Sequence, residues 1–226
     1  MSHAILFVHG AFHGAWCWAP VMEALEARGV SCCAIDLHRG GLEADVAAIR
    51  AEIDRLAETG QQVVVVGHSL GCVSVASLTP EGIAHAVFLA GPLYGPDMPD
   101  PATLTMPDFL PSLTLSEGPT MEIDLAKAHE LFYHDCSRAD SDAAIAKLRT
   151  NLSYLPIDHD PPLWEQVPAT YLWCDDDRAV RPDYQHQVAE RIRYSEGFST
   201  GHSPMLCAPT ALADALGRVL ERTPQA

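Results

Sequence analysis

The chain has no unbroken apolar run approaching the about 18 residues that cross a bilayer, so no transmembrane helix is expected. Its start, Met1-Ser2-His3-Ala4, carries no basic stretch, and the short apolar segment that follows runs straight into His9-Gly10. That reads as a first core strand and not as an export signal, and a cytoplasmic protein is expected. Positive charge is scarce: 14 Lys and Arg stand against 30 Asp and Glu, a formal net charge of −16. Such a field repels phosphate backbones and anionic lipid, which argues against nucleic-acid and membrane partners. Cysteine occurs seven times, at 17, 32, 33, 72, 136, 174 and 207, without a paired Cys-x-x-Cys frame. An odd number lying mostly in apolar segments indicates reduced, buried thiols in a reducing compartment. Of the eleven histidines none sits in His-Glu-x-x-His, and His9/His13 and His129/His134 lack a third ligand in pattern. Neither a metal nor another cofactor is therefore expected. Internal repeats and low-complexity tracts are also missing.

What remains is a globular composition, 226 residues and 24.5 kDa with 48% hydrophobic residues, enough for one core with an insertion. Apolar runs alternate with helix-period stretches, which predicts an α/β fold, a doubly wound, mostly parallel sheet covered on both faces. Strands are expected at 4–8, 31–35, 63–66, 86–90, 169–173 and 194–198. Helices are expected at 16–28, 42–56, 72–78, 183–192 and 204–222. From 92 to 119 prolines recur too densely for regular structure, and two helices are expected after them, at 121–134 and 140–150. Residues 1–91 and 167–226 thus form the core. Residues 92–166 form an insertion expected to act as a lid.

The junction with most chemical content is Gly67-His68-Ser69-Leu70-Gly71, directly after Val63-Val64-Val65-Val66. A buried strand must turn there into a helix, which holds the serine exposed at a strained apex. A serine hydroxyl needs an adjacent base. His202, in Gly201-His202-Ser203-Pro204, follows the last strand, and loops at the carboxyl ends of parallel strands converge on one edge. The acid that orients the histidine is sought in Cys174-Asp175-Asp176-Asp177-Arg178. Asp177, deepest in that turn, is preferred over Asp175, although local reasoning separates them poorly. The backbone N–H groups of Leu70 and Ala11 are the candidate oxyanion donors. Phe12, Tyr94, Phe132, Tyr133 and Trp164 are candidates to line an apolar substrate pocket.

The order Ser69, Asp177, His202 matches the α/β-hydrolase arrangement. The segment Phe7-Val8-His9-Gly10-Ala11-Phe12-His13-Gly14-Ala15-Trp16-Cys17-Trp18 resembles the methylesterase and hydroxynitrile-lyase branch. So do Trp173-Cys174-Asp175-Asp176-Asp177 and Pro182-Asp183-Tyr184-Gln185, and in that branch the third acidic position is the triad acid, which favours Asp177. Leu131-Phe132-Tyr133-His134-Asp135-Cys136 is similar to a lid-helix segment of bacterial members. The lyases of the branch carry threonine where Gly10 stands and lysine where Ser203 stands. The resemblance therefore implies a serine carboxylesterase, and the mostly apolar lid and acidic surface suggest small, mostly neutral esters. The alternatives are a lyase-like or natural-product-tailoring enzyme and a ligand-binding member of the fold.

Overall fold

The computed structural model describes residues 2–37, 40–94, 98–115, 120–152 and 161–223. Pro96, Pro119 and Asp158-His159-Asp160, which helped to delimit the predicted insertion, lie outside the described residues. The central sheet comprises β1 (Ser2–Val8), β2 (Ser31–Ile35), β3 (Gln61–His68), β4 (Ile83–Leu89), β8 (Ala169–Cys174) and β9 (Tyr194–Phe198). Their order is β2-β1-β3-β4-β8-β9, and every pairing is parallel. The valine run shows why both faces must be covered. Val63 and Val65 enter one core with Ile49, Ile53 and Leu56 of α2 (Leu42–Glu58) and Val75 of α3 (Leu70–Ala76). Val64 and Val66 enter the opposite core with Val21 and Leu25 of α1 (Ala19–Glu26) and Leu212 and Leu216 of α9 (Pro209–Arg222). Alternation along a strand that is apolar throughout gives each helix layer its own half of the side chains.

Between β4 and β8 the chain leaves the sheet. It forms β5 (Leu113–Leu115), β6 (Thr120–Ile123), α4 (Leu125–Phe132), α5 (Arg138–Ile145), β7 (Asn151–Leu152) and the short α6 (Leu163–Gln166). The β5-β6-β7 ribbon is antiparallel and corrects two expectations. The proline-dense stretch holds regular structure where prolines thin out, in β5. The helix expected from 121 begins only at Leu125, because the Asp124 carboxylate accepts the Ala126 N–H and caps it there. Likewise Ser137 caps α5, which ends five residues before the predicted stop. The C-terminal helix is two, α8 (Pro204–Cys207) and α9, divided at Ala208 because Pro209 has no N–H to continue the first. Between β8 and β9 runs α7 (Pro182–Ala189). A third apolar cluster joins Leu131, Phe132 and Tyr133 of the insertion to Phe12 and Ala179. The insertion thereby packs on the loops that follow β1 and β8.

Candidate active site

The strand order reverses direction beside β1, so the crevice beyond the carboxyl ends of β1 and β3 is a topological switch point where ligands of open α/β sheets bind. Ser69 stands there, half-buried, at φ 51° and ψ −124°. A non-glycine residue at that φ is strained, and the close packing around it holds the strain in place. A Cβ on Gly71 would lie 2.8 Å from the Val8 and His9 carbonyl oxygens, and one on Gly10 would lie 2.9 Å from the Ser69 Cβ. Backbone therefore packs against backbone on both sides of the turn. Leu70 opens α3, so its N–H is among the first-turn donors that find no carbonyl inside the helix.

The structure joins His202 to Asp177 and not to Asp175. His202 Nδ1 donates to Asp177 Oδ2 over 2.8 Å, and both side chains are buried. Asp177 is saturated with donors. Oδ1 accepts the N–H groups of Ala179 and Val180 at 2.7 and 3.0 Å, and Oδ2 also accepts Gln185 Nε2 at 2.8 Å. These four donors hold the carboxylate in one orientation. Asp175 is exposed and meets His186 Nε2 and Trp173 Nε1. Gln185 completes the arrangement by accepting the Cys174 N–H with its Oε1.

His202 is also tied to the serine turn. The ring of His68, the residue before Ser69, lies 4.7 Å from the His202 ring. His68 Nε2 donates to the His202 carbonyl over 2.8 Å. Burial, reinforced by the neighbouring His202 and His13, holds His68 well below the ordinary histidine range, so it is neutral and its Nε2 carries the proton.

The loop after β1 is built by a second chain of hydrogen bonds. His13 Nδ1 donates to the Ala11 carbonyl over 2.8 Å, which leaves its Nε2 to accept the Tyr133 hydroxyl at 2.7 Å. The Ala11 N–H, one of the candidate oxyanion donors, belongs to the preceding peptide, whose Gly10 carbonyl accepts the His9 Nδ1–H over 2.8 Å. Arg149 clamps the same loop: its N–H reaches the Phe12 carbonyl, its Nε the His13 carbonyl, and its Nη2 the Asp36 carboxylate at 2.7 Å. Phe12 itself has φ 64°.

The predicted pocket residues separate into groups. Phe132 lies against the site, its ring 5.6 Å from the His202 ring and 6.3 Å from that of Phe12. Tyr133 is fully buried behind His13 and supports the loop. Tyr94 is half-buried a few residues beyond β4, where burial raises its hydroxyl pKa. Trp164 is a correction: it sits on α6 in a surface cavity with Ala169 and Tyr194, the first residues of β8 and β9, at the sheet edge opposite to Ser69. An aromatic in a sequence does not reveal which end of the sheet it will face. The cysteines are corrected in part. All seven are free, but only Cys17, Cys72 and Cys174 are buried. Sequence reasoning did not assign roles to His13, His68, Arg149 or Gln185; Gln185 stood within a quoted motif, but its contact to Asp177 forms only in the fold.

With this geometry in place, comparison with known proteins is decisive for the family. The family model described as "Alpha/beta hydrolase family" matches residues 5–215. The chain belongs to the alpha/beta hydrolase family. This hydrolase is 28% identical to methylesterase 2 of Arabidopsis thaliana, over 95% of this chain and 94% of that protein. It is 27% identical to norfluorocurarine synthase 1 of a Strychnos species, over 98% and 96% of the two chains. A pyrethroid hydrolase from Sphingobium faniae superposes with a TM-score of 0.80 at 23% identity, covering 98% of each chain, a likeness of fold. Among the described residues no helix is long and apolar enough to cross a membrane.

Proposed function

We propose that this hydrolase cleaves carboxylic esters of small, mostly neutral molecules through an acyl-enzyme on Ser69. The observation that carries the reading is the buried Asp177–His202 pair, tied through His68 to the strained turn that presents Ser69. Ser69 Oγ attacks the ester carbonyl while His202 Nε2 takes its proton. The imidazolium is stabilised by Asp177, and the alkoxide of the tetrahedral intermediate is held by the Ala11 and Leu70 N–H groups. His202 returns the proton to the leaving alcohol. Water, activated by the same histidine, then releases the acid. Losing one oxyanion donor is expected to cost about 10²–10³ in rate. Residues 92–166 serve as the lid, with Phe12 and Phe132 forming the apolar wall beside His202. The likeness to methylesterases supports the ester chemistry. Gly10 and Ser203 support hydrolysis over cyanohydrin cleavage, because they lack the hydroxyl and the ammonium that the lyases of the branch carry there and that ester hydrolysis does not need. The seven free thiols accord with a reducing compartment, and we place the protein in the cytoplasm.

The test is a panel of p-nitrophenyl esters of short to medium acyl length. Turnover is expected in the wild type and a loss of at least about 10⁴-fold in Ser69→Ala. A fluorophosphonate probe is expected to label Ser69 alone. Absence of both turnover and labelling, with small esters still bound, points instead to a ligand-binding protein. The likeness to norfluorocurarine synthase 1 favours a second reading, tailoring of a natural product on the same site. Consumption of a substrate without release of acid and alcohol would select it.

A further inference from the structure

One segment of the insertion, His134-Asp135-Cys136, touches both loops that carry the histidine and its acid. His134 Nε2 donates to the Asp176 carbonyl at 2.9 Å, and Asp135 Oδ2 accepts the Gly201 N–H at 2.6 Å. Cys136 faces Cys207, at the end of α8, five residues beyond His202. One ligand atom from each of Asp135, Cys136 and Cys207 lies within 4.8 Å of the others. Asp135 is exposed and both cysteines are half-buried, so the group is open to solvent.

We propose that Asp135, Cys136 and Cys207 form a binding site for one thiophilic divalent cation of the zinc type, bridging the insertion and the segment that carries His202. Two sulfurs and one carboxylate oxygen are the donor set such ions prefer, with water completing a tetrahedron. Bonds of about 2.0–2.3 Å to a tetrahedral ion place ligand atoms roughly 3.3–3.8 Å apart. The three groups therefore need only side-chain adjustment to close on it. The Gly201 N–H leaves Asp135 Oδ1 available while orienting the carboxylate, as hydrogen bonds around bound metals commonly do. The other close pair, Cys32 and Cys33, does not offer the same donor set. Adjacent residues of a strand point to opposite faces, and their sulfurs turn to Glu26 and Glu52 respectively.

The inference is independent of the ester-cleaving reading, and its test does not use activity. Full-length protein kept reduced with a phosphine is titrated with cadmium, whose thiolate complexes absorb in the ultraviolet. One saturable equivalent, displaced by zinc, is the expected result. Cys136→Ser and Cys207→Ser should each weaken uptake at least about tenfold, while Cys32→Ser/Cys33→Ser leaves it unchanged. A second measurement needs no variant: zinc should shield Cys136 and Cys207, but not Cys32 or Cys33, from alkylation as read by peptide mass spectrometry. Uptake retained in Cys207→Ser, or zinc that shields neither Cys136 nor Cys207, overturns the proposal.

Discussion

Gln185 illustrates how much one uncharged side chain does here. It is fully buried, donates to Asp177 Oδ2 and the Val180 carbonyl, and accepts the Cys174 N–H. Gln185→Leu strands that N–H in the core and removes one of four donors from the carboxylate. A loss of about 1–3 kcal/mol in urea unfolding is expected, the cost of one buried polar group left unpaired. A fall in kcat of about tenfold should accompany it, with KM little changed, because the residue acts on the histidine through Asp177 and touches no substrate. Gln185→Glu should be worse in both assays, since it sets a second carboxylate against Asp177. Nothing in the local sequence distinguishes this glutamine from its exposed neighbour Gln187, because the contact depends on how α7 returns across the end of β8.

Among the elements, the insertion does more than cover the site. Its Arg149 ties two backbone carbonyls of the loop after β1, those of Phe12 and His13, to the Leu37 carbonyl and the Asp36 carboxylate beyond β2. Partial burial works against charge on Asp36, yet the Arg149 guanidinium and the Ala15 N–H outweigh it and hold the carboxyl below its ordinary value. Arg149→Ala should therefore raise the Asp36 pKa toward the usual carboxylate range, measurable by NMR titration. It should also lower kcat for p-nitrophenyl esters about tenfold as the Ala11 peptide loosens. An unmoved Asp36 pKa would deny the clamp. The core strands were all legible in the sequence, because the central ones are buried on both faces and read as largely apolar runs, while the partly exposed edge strands β2 and β9 follow from the alternation of strands and helices. The insertion was less so. Its ribbon strands are two to four residues long, too short for any period to register, and its helix starts are set by single caps at Asp124 and Ser137.

For the whole molecule, two conditions report on the fold and the field around it. His85 is buried between Thr170 Oγ1 and Thr223 Oγ1, and burial pushes its pKa down from 6.5 to about 4. Above pH 6.5 it is neutral in both folded and unfolded chains, and its surroundings contribute fully. As pH falls from 6.5 to 4 the unfolded chain takes the proton first. Stability should therefore drop through that window, by about 3 kcal/mol for this residue. His85→Gln, which preserves hydrogen bonding without a proton to gain, should flatten that part of the stability profile. The net charge of −16 acts at longer range. For an ester bearing a carboxylate, kcat/KM should rise several-fold as salt increases from about 0.01 M to about 0.5 M and the repulsion is screened. A neutral ester of the same size should be nearly indifferent.

The order of strands and helices in the core, the strained serine turn and the candidate histidine His202 were all present in the linear chain. Hydrophobic period, glycine placement and residue order are local properties that survive without a fold. Three matters waited for the tertiary structure. It showed the contact between His202 and Asp177, the acid the sequence already preferred, it set Phe132 beside His202 while carrying Trp164 to the far edge, and it brought Cys136 against Cys207. Each depends on the direction a side chain takes once distant segments pack. That direction is decided by the sum of many long-range contacts, which no single stretch of sequence contains.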